Sequence, residues 1–514
     1  MILLIYPPVA KPCEPPAGIA RLSGMLGRHG VGHRLLDANI EGILHLLHRP
    51  VPPEKLNDTW SKRAFRNRAR NLSSMKDLVL YRHIDRYKRT VRDISRITAQ
   101  VSPTGTTVGL ANYEHENLSP LKSSDLLTVA ELPELVPFYP YFRSRIEGLF
   151  REKEPSFVGI SVNYLSQALC AFSIAGFIRK EFPGLKIILG GGLVTSWLKN
   201  PRWKNPFSGL VDHLVAGPGE YQLLSLLGLD AMKKETQMPD YLSLPRDNYF
   251  SPGFILPYSA STGCYWSKCE FCPEKAEGTP YVPIPAQQVI AELKSLAEET
   301  APVLIHLLDN AISPALLDAL SADNIGVPWY GFTRISSHLT DPDFCVSLKR
   351  AGCIMLKLGV ESGDQDVLDR LQKGINVEKA SIVLSNLKKA GISTYVYLIF
   401  GTPAEKEAGA RKTLEFTVKH RDSIDFLNLA IFNMPICGVP IPGIETRSFY
   451  DGDLSLYTDF THPDGWDRKR VRLFLENEFR RHPAVSAILK NEPPVFTSNH
   501  APLFVMGKQR IGKQ

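Results

Sequence analysis

The chain has 514 residues, 44% hydrophobic and 22% charged, a globular composition with room for about two to four domains. Its 8 cysteines are too few for a secreted disulfide framework, and no window of about 18 apolar residues offers a membrane span. The net charge of +7 is local: residues 61–96 hold 12 Lys/Arg against 3 Asp/Glu, so the rest of the chain sums to −2.

The opening MILLIYPPVAKP has neither a basic leader nor a small-residue cleavage site, so it reads as a first β-strand and the protein as cytoplasmic. A Pro/Gly-rich turn leads to the helical IARLSGMLGRHG, stopped by Gly30. HRLLDAN is a second strand. After an interruption over about 48–150, the strands FVGISVNY, LKIILGGG and DHLVAGPGE alternate with the helical SQALCAFSIAGFIRKEF and YQLLSLLGL. The alternation predicts an α/β domain over 1–230, with a doubly wound, Rossmann-like parallel sheet that binds ligand beyond its strands' carboxyl ends. Gly190, Gly191 and Gly192 follow one strand, and Gly217, Gly219 and Glu220 the next, where glycine lets a backbone approach a ligand. Inside the interruption, Leu72, Met75, Val79, Ile84, Tyr87, Val91 and Ile94 recur at near-helical spacing. They predict an amphipathic helix whose cationic face is solvated or meets an anionic partner. Its apolar stripe is expected to wall the active site.

From residue 255 the alternation restarts: ILPYSAS, VLIHLL ending in Asp309-Asn310, VPWYGFTR, IMLKLGVESG and STYVYLIFGTP, each separated by a helical run. This is the pattern of a partial β/α barrel over 250–430, with its chemistry at the strands' carboxyl ends. Residues 431–514 read as an α-rich C-terminal cap, a candidate for substrate binding.

GCYWSKCEFC puts Cys264, Cys269 and Cys272 just after the first of these strands. A structural zinc takes four ligands, and no fourth Cys or His stands at ribbon-like spacing. A redox C-x-x-C pair would leave Cys264 idle. A 4Fe–4S cluster on three thiolates uses all three and leaves one iron open. Cys13, Cys170, Cys345 and Cys353 lie in or beside apolar segments and read as small core residues, and Cys437 sits just past the barrel.

Here the sequence resembles the radical SAM superfamily. The usual signature, C-x-x-x-C-x-aromatic-C, has Phe271 at its aromatic place, and this chain departs from it by one extra residue between the first two cysteines. The resemblance implies a 4Fe–4S cluster on Cys264, Cys269 and Cys272 and a molecule of S-adenosyl-L-methionine (SAM). Asp309 and Asn310 would lie near the SAM amino group, with Arg334 at the end of the third strand. Glu361 and Ser362 would face its ribose and carboxylate, and the IFGTPAEKE turn, with Gly401, its adenine. PPAGIARLSGMLGRHG, LKIILGGGLVTSW and VAGPGE resemble, in order, the cobalamin-binding domain attached to many radical SAM enzymes, over residues 1 to about 46 and 154 to about 228. That implies cobalamin against Gly190 to Gly192 and Gly217 to Glu220. Asp37 to Gly42 imitates the D-x-H-x-x-G signature of other cobalamin proteins, but Asn39 stands at the histidine place, so no lower axial ligand is identified.

The resemblance implies a cobalamin-dependent radical SAM methyltransferase acting on an unactivated carbon, or a phosphinate phosphorus, of a small molecule or natural-product precursor. It would cleave SAM reductively to a 5′-deoxyadenosyl radical, use an electron donor such as flavodoxin or ferredoxin, and relay the methyl group through cobalamin. A cyclase or ring-rearranging enzyme with the same cofactors is the alternative. A nucleic-acid-binding or regulatory protein with a structural cluster is a reading of another class. Against it, the chain's end does not resemble the small RNA-binding domain of tRNA-modifying relatives.

Overall fold

The computed structural model describes residues 1–51, 55–229, 237–439 and 441–509. Residue 230, the expected end of the first domain, lies outside them. The chain divides into two compact units: Met1–Phe254 with Tyr450–Leu456, and Ile255–Phe449 with Tyr457 onward.

The first unit is built on five parallel strands: β1 (Ile2–Tyr6), β2 (His33–Asp37), β3 (Phe157–Ser161), β4 (Lys186–Gly190) and β5 (His213–Leu214). Their spatial order is β2-β1-β3-β4-β5. Four successive residues of β1, Ile2 to Ile5, are buried, as expected where helices cover both faces of a parallel sheet. The strand order reverses direction at β1, so the crevice between the β1 and β3 ends is the topological switch point.

The interruption is a mainly helical insertion. The single amphipathic helix expected over the basic segment is broken into Thr59–Arg66, Arg68–Met75, a 3-10 turn at Leu78–Arg82 and Ile84–Val101. Two of the starts, at Asp58 and Asp77, are set by short polar side chains that serve backbone N–H groups better there than inside a helix. Asp58 accepts from the N–H of Ser61, and Asp77 from that of Val79. Val79 is therefore exposed, while Tyr87, Val91 and Ile94 are buried. That stripe packs on the helix Ala38–His48 and on the two short helices before it. This corrects the expectation that it walls an active site: its apolar surface is used up inside the first unit.

The insertion is anchored where the helix Ser123–Glu131 crosses the buried helix Leu165–Glu181. A Cβ on Gly176 would lie 1.9 Å from the Ala130 carbonyl oxygen.

In the second unit, β6 (Ile255–Tyr258), β7 (Leu304–Leu307), β8 (Trp329–Thr333), β9 (Cys353–Glu361), β10 (Ser393–Phe400) and β11 (Phe426–Ile431) lie side by side in chain order, all parallel. The sheet is open, a partial barrel. After β11, where an α-rich cap was expected, the chain first makes a small antiparallel sheet from Met434–Pro435, Thr446–Ser448 and Tyr457–Phe460. Helices Arg468–Phe474, Pro483–Leu489 and Thr497–Gln509 follow, and the last packs against β9. Cys13, Cys170, Cys345 and Cys353 are buried and Cys437 is half-buried.

Replacing Gly176 by Ala should force the two helices apart and cost about 1–3 kcal/mol. Urea denaturation reads this as a lower midpoint. Gly184→Ala, with no atom within 4 Å of its added Cβ, should leave the midpoint nearly unchanged.

Candidate active site

After β6 the chain forms a short antiparallel bridge, Ser261–Thr262 with Val282–Pro283, which pinches off the loop 263–281 that holds all three cysteines. Gly263 opens the loop at φ +69°, and a Cβ there would stand 2.5 Å from the Pro280 carbonyl oxygen, so the neck admits only glycine. Asp309, at the end of β7, fixes this neck by accepting from the Ala260 N–H at 3.1 Å and from the Ser261 hydroxyl. Burial raises its carboxyl pKa, and those two hydrogen bonds oppose the rise. Asn310 is exposed beside it and donates to the Gly263 carbonyl at 3.4 Å.

The other side of the loop is clamped to residues 371–374. The Glu270 N–H donates to the Leu371 carbonyl, and the Trp266 indole N–H to that of Gln372, both at 3.0 Å. Gly374, at φ +66°, leaves room for the indole, since a Cβ there would lie 2.0 Å from the Trp266 ring. Arg334, directly after β8, is buried with its guanidinium 4.3 Å from the Trp266 ring centre. It donates to Cys269 Sγ at 3.7 Å and to the Lys373 carbonyl. Lys373 donates to Glu361 Oε1 at 2.7 Å in an ion pair whose side chains are 5% and 9% exposed. The Lys373 Nζ also stands 5.5 Å from the centre of the Phe271 ring.

Cys269 is buried, and Cys264 and Cys272 are half-buried. Burial raises the Cys269 pKa, opposed by the cations of Lys373 and Arg334. Burial likewise raises that of Cys272, opposed by the backbone N–H groups of Lys275 and Glu274, with Cys269 and Cys264 close enough to add to the rise. Among the described residues no three His, Cys, Asp or Glu side chains converge on one metal position. A zinc ion needs its thiolates at one point, whereas a 4Fe–4S cluster takes each on a different iron. Three thiols on one loop, with no fourth Cys or His beside them in sequence, are the donor set a 4Fe–4S cluster with one open iron would take.

The remaining predicted contacts divide into open and occupied. Ser362 is turned into the fold: its hydroxyl lies 3.1 Å from Thr413 Oγ1 and accepts from the Asp364 N–H. Gly401, at φ +73°, gives its N–H to Glu405 Oε2 at 2.6 Å, and that oxygen also accepts from the Trp466 indole at 2.9 Å. Glu405 is completely buried, its Oε1 has no partner among the described residues, and burial lifts its pKa from 4.5 to about 7.

In the first unit, the carboxyl ends of three neighbouring strands are tied together. Val162 donates to the Gly190 carbonyl at 2.7 Å, Gly192 to Asn163 Oδ1 at 2.9 Å, and Gly217 to Thr195 Oγ1 at 2.8 Å. Gly192 and Gly217 are exposed, and a Cβ on Gly217 would meet nothing within 4 Å. Gly191 differs: at φ +104°, its Cβ would lie 2.4 Å from the Val162 carbonyl oxygen, so its missing side chain serves the loop's own packing. Gly190 and Gly219 lie against Val215. Glu220 pairs with Arg21 at 2.9 Å, and Asn39 is spent on the backbone of Ala10. Gly192 and Gly217 leave this edge of the strand ends exposed, with both N–H groups taken up by the loops.

Sequence reasoning missed Lys373, Trp266 and Glu405. It also missed a polar layer on β7, β8 and β9, in which His306 stacks on Tyr330 at 4.3 Å and Lys357 Nζ lies 2.9 Å from His306 Nε2. The Lys373-Gly374 dipeptide was the one local signal.

Residues 258–417 match the model of the Radical SAM superfamily. The chain carries a radical SAM domain. An uncharacterized methyltransferase of Pyrococcus horikoshii is 24% identical over 388 residues, 68% of this chain and 79% of that protein. The bacteriochlorophyllide d C-12(1)-methyltransferase of Chlorobaculum tepidum is 26% identical over 39% of this chain, which spans 45% of its length. Among solved structures, the radical SAM methyltransferase TsrM from Kitasatospora setae, with cobalamin and a [4Fe-4S] cluster bound, superposes with a TM-score of 0.52 at 15% identity, covering 88% of this chain and 77% of that one. The cobalamin-dependent radical SAM enzyme OxsB, with aqua-cobalamin bound, gives 0.51 at 15% identity, covering 83% of this chain and 53% of that one. At this identity the likeness is one of fold: a Rossmann-like unit followed by a radical SAM partial barrel. No helix among the described residues is long and apolar enough to cross a membrane.

Beside the radical SAM domain's fifth strand, Glu405 should leave a signature in stability against pH. Its folded pKa lies above its unfolded value, so between pH of about 4.5 and 7 the folded state holds more protons and stability falls as pH rises. Glu405→Gln keeps an acceptor for Gly401 and Trp466 and removes the titration. Its denaturation free energy should be flatter than the parent's across that window, and an unchanged slope would assign the effect to another group.

Proposed function

We propose that this protein is a cobalamin-dependent radical SAM methyltransferase acting on an unactivated carbon, or a phosphinate phosphorus, of a small molecule. The reading rests on one observation above all: three cysteines on one loop, clamped at the carboxyl end of a parallel partial barrel by buried Arg334 and Lys373. The methyltransferase relatives and the cobalamin-bound structures of the same fold support it.

Cys264, Cys269 and Cys272 would hold the cluster. Gly192 and Gly217, with the backbone around them, would receive cobalamin. When bound, these groups supply the electron for SAM cleavage and the methyl relay, chemistry no side chain can perform. The protein's share is placement. Arg334 donates to the sulfur of Cys269, one of the thiols that would hold the cluster, and such bonds would help set its potential. Trp266 shelters the loop, and the Lys373–Glu361 pair keeps a cation and a carboxylate at fixed positions beside it. Of the SAM contacts implied by resemblance, Asn310, Glu361 and the turn at Gly401 remain candidates for direct contact. Asp309 and Ser362 act one step back, by holding the loop neck and the strand end. The electron would come from a flavodoxin- or ferredoxin-type donor in the cytoplasm.

Anaerobically reconstituted protein should hold about four iron and four sulfide. Ala at Cys264, Cys269 or Cys272 should remove them, and Cys345→Ala should not. With cobalamin, reductant and substrate, methyl transfer yields S-adenosylhomocysteine and 5′-deoxyadenosine in equal amounts. 5′-Deoxyadenosine without S-adenosylhomocysteine would replace methyl transfer by a radical rearrangement. Gly192→Trp should abolish retention of hydroxocobalamin with little change in melting temperature, because the position is exposed and an added Cβ makes only ordinary contacts with Asn163, at 3.6 Å or more. Retention unchanged in that variant would move cobalamin away from this edge.

A further inference from the structure

The basic insertion encloses a cavity that neither the cluster site nor the glycine-bearing edge uses. It lies among the helices Thr59–Arg66, Arg68–Met75 and Ile84–Val101 of the first unit and has a volume of about 190 Å³. Arg63, Arg70, Arg86 and Arg89 line it, against a single carboxylate, Asp93.

The cations are not consumed by the fold. Among the described residues, only Arg63 of the four is paired with a carboxylate, through Nη2 to Asp93 Oδ1 at 2.8 Å, and that oxygen also accepts from the Trp60 indole N–H at 2.8 Å. Arg70, Arg86 and Arg89 have no carboxylate partner among the described residues. Like charges gathered on one cavity repel and lower stability unless an anion is received there. The cavity also has a buried polar wall. Asn71 is 6% exposed, lines the cavity, and its Nδ2 is buried without an acceptor. A buried donor left unpaired costs about 1–3 kcal/mol, so native structures seldom keep one without a use.

We propose that this cavity binds a phosphate group, as the free ion or as the terminal phosphate of a small molecule. Guanidinium groups recognise phosphate through paired N–H donors, and several arginines around one small space suit a tetrahedral dianion with three or more oxygens better than a two-oxygen carboxylate. Asn71 supplies a neutral donor from the wall. The small volume and buried polar wall separate this site from a nucleic-acid surface, where cations lie in an open stripe along the backbone.

Titration calorimetry on the full, cluster-loaded chain in phosphate-free buffer tests this, with inorganic phosphate, diphosphate and glycerol 3-phosphate as probes. Binding should saturate at one site per chain. Arg86→Gln/Arg89→Gln should weaken it about tenfold or more, as expected for loss of charge-assisted hydrogen bonds. Asn71→Asp, nearly isosteric, should weaken it further by setting a carboxylate against the anion. If inorganic phosphate and diphosphate bind and the ester does not, the ligand is the free ion. Displacement of phosphate by the ester makes it a small phosphorylated molecule. Arg86 and Arg89 are exposed and their removal relieves repulsion, so the double variant should melt no lower than the parent. Absence of binding by every probe, equal affinity in the double variant, or binding only of a DNA duplex with steep salt dependence would overturn the proposal.

Discussion

Two opposite charges out of water, Lys373 and Glu361, are the feature around which the second unit's site is arranged. Breaking such a pair by removing one partner costs about 3–5 kcal/mol, so the two must arrive together or the fold suffers. They do so because β9 delivers Glu361 to its carboxyl end and the turn after the next short helix returns Lys373 to the same place. The Lys373 carbonyl then receives Arg334 from β8, Arg334 lies on Trp266, and Trp266 belongs to the cysteine loop. The loop is rich in thiols and in aromatic rings, Tyr265, Trp266, Phe271 and Tyr281, but all four rings are only half-buried. Here it is fixed by charge and hydrogen bonds to the ends of neighbouring strands.

Both units obey the same rule of parallel sheets, that ligand sites form beyond the strands' carboxyl ends, yet they use glycine differently there. Gly263, Gly374 and Gly191 are required by close internal contacts: with Pro280, Trp266 and Val162 respectively. Gly192 and Gly217 are exposed, and no close internal contact forbids a Cβ at either. Runs of glycine in a sequence do not reveal which kind each one is.

The insertion illustrates how one segment can serve two ends. Its apolar stripe belongs to the first unit's interior, held by Tyr87, Val91 and Ile94, while its arginines gather on a cavity of their own. Breaks at Asn67, Lys76-Asp77 and His83 fold the segment so that cations distant along it, Arg63 and Arg89, line the same space.

The sequence by itself determined the alternation of strand and helix, hence two parallel sheets, and the cysteine spacing that marks the radical SAM domain. Those are local properties: hydrophobic period, turn residues and ligand spacing all act over a few residues. It could not show that Ser362 faces Thr413, that Gly191 packs on Val162, that Lys373 completes Glu361, or that the basic segment breaks into pieces. Each of those depends on a partner brought near only by the folded chain. In the site the pairings run over 12 residues for Lys373 with Glu361, 65 for Arg334 with Cys269 and 106 for Trp266 with Gln372. A side chain's role at a buried site is set by which neighbour satisfies its charge or hydrogen bond, and tertiary structure alone decides that neighbour.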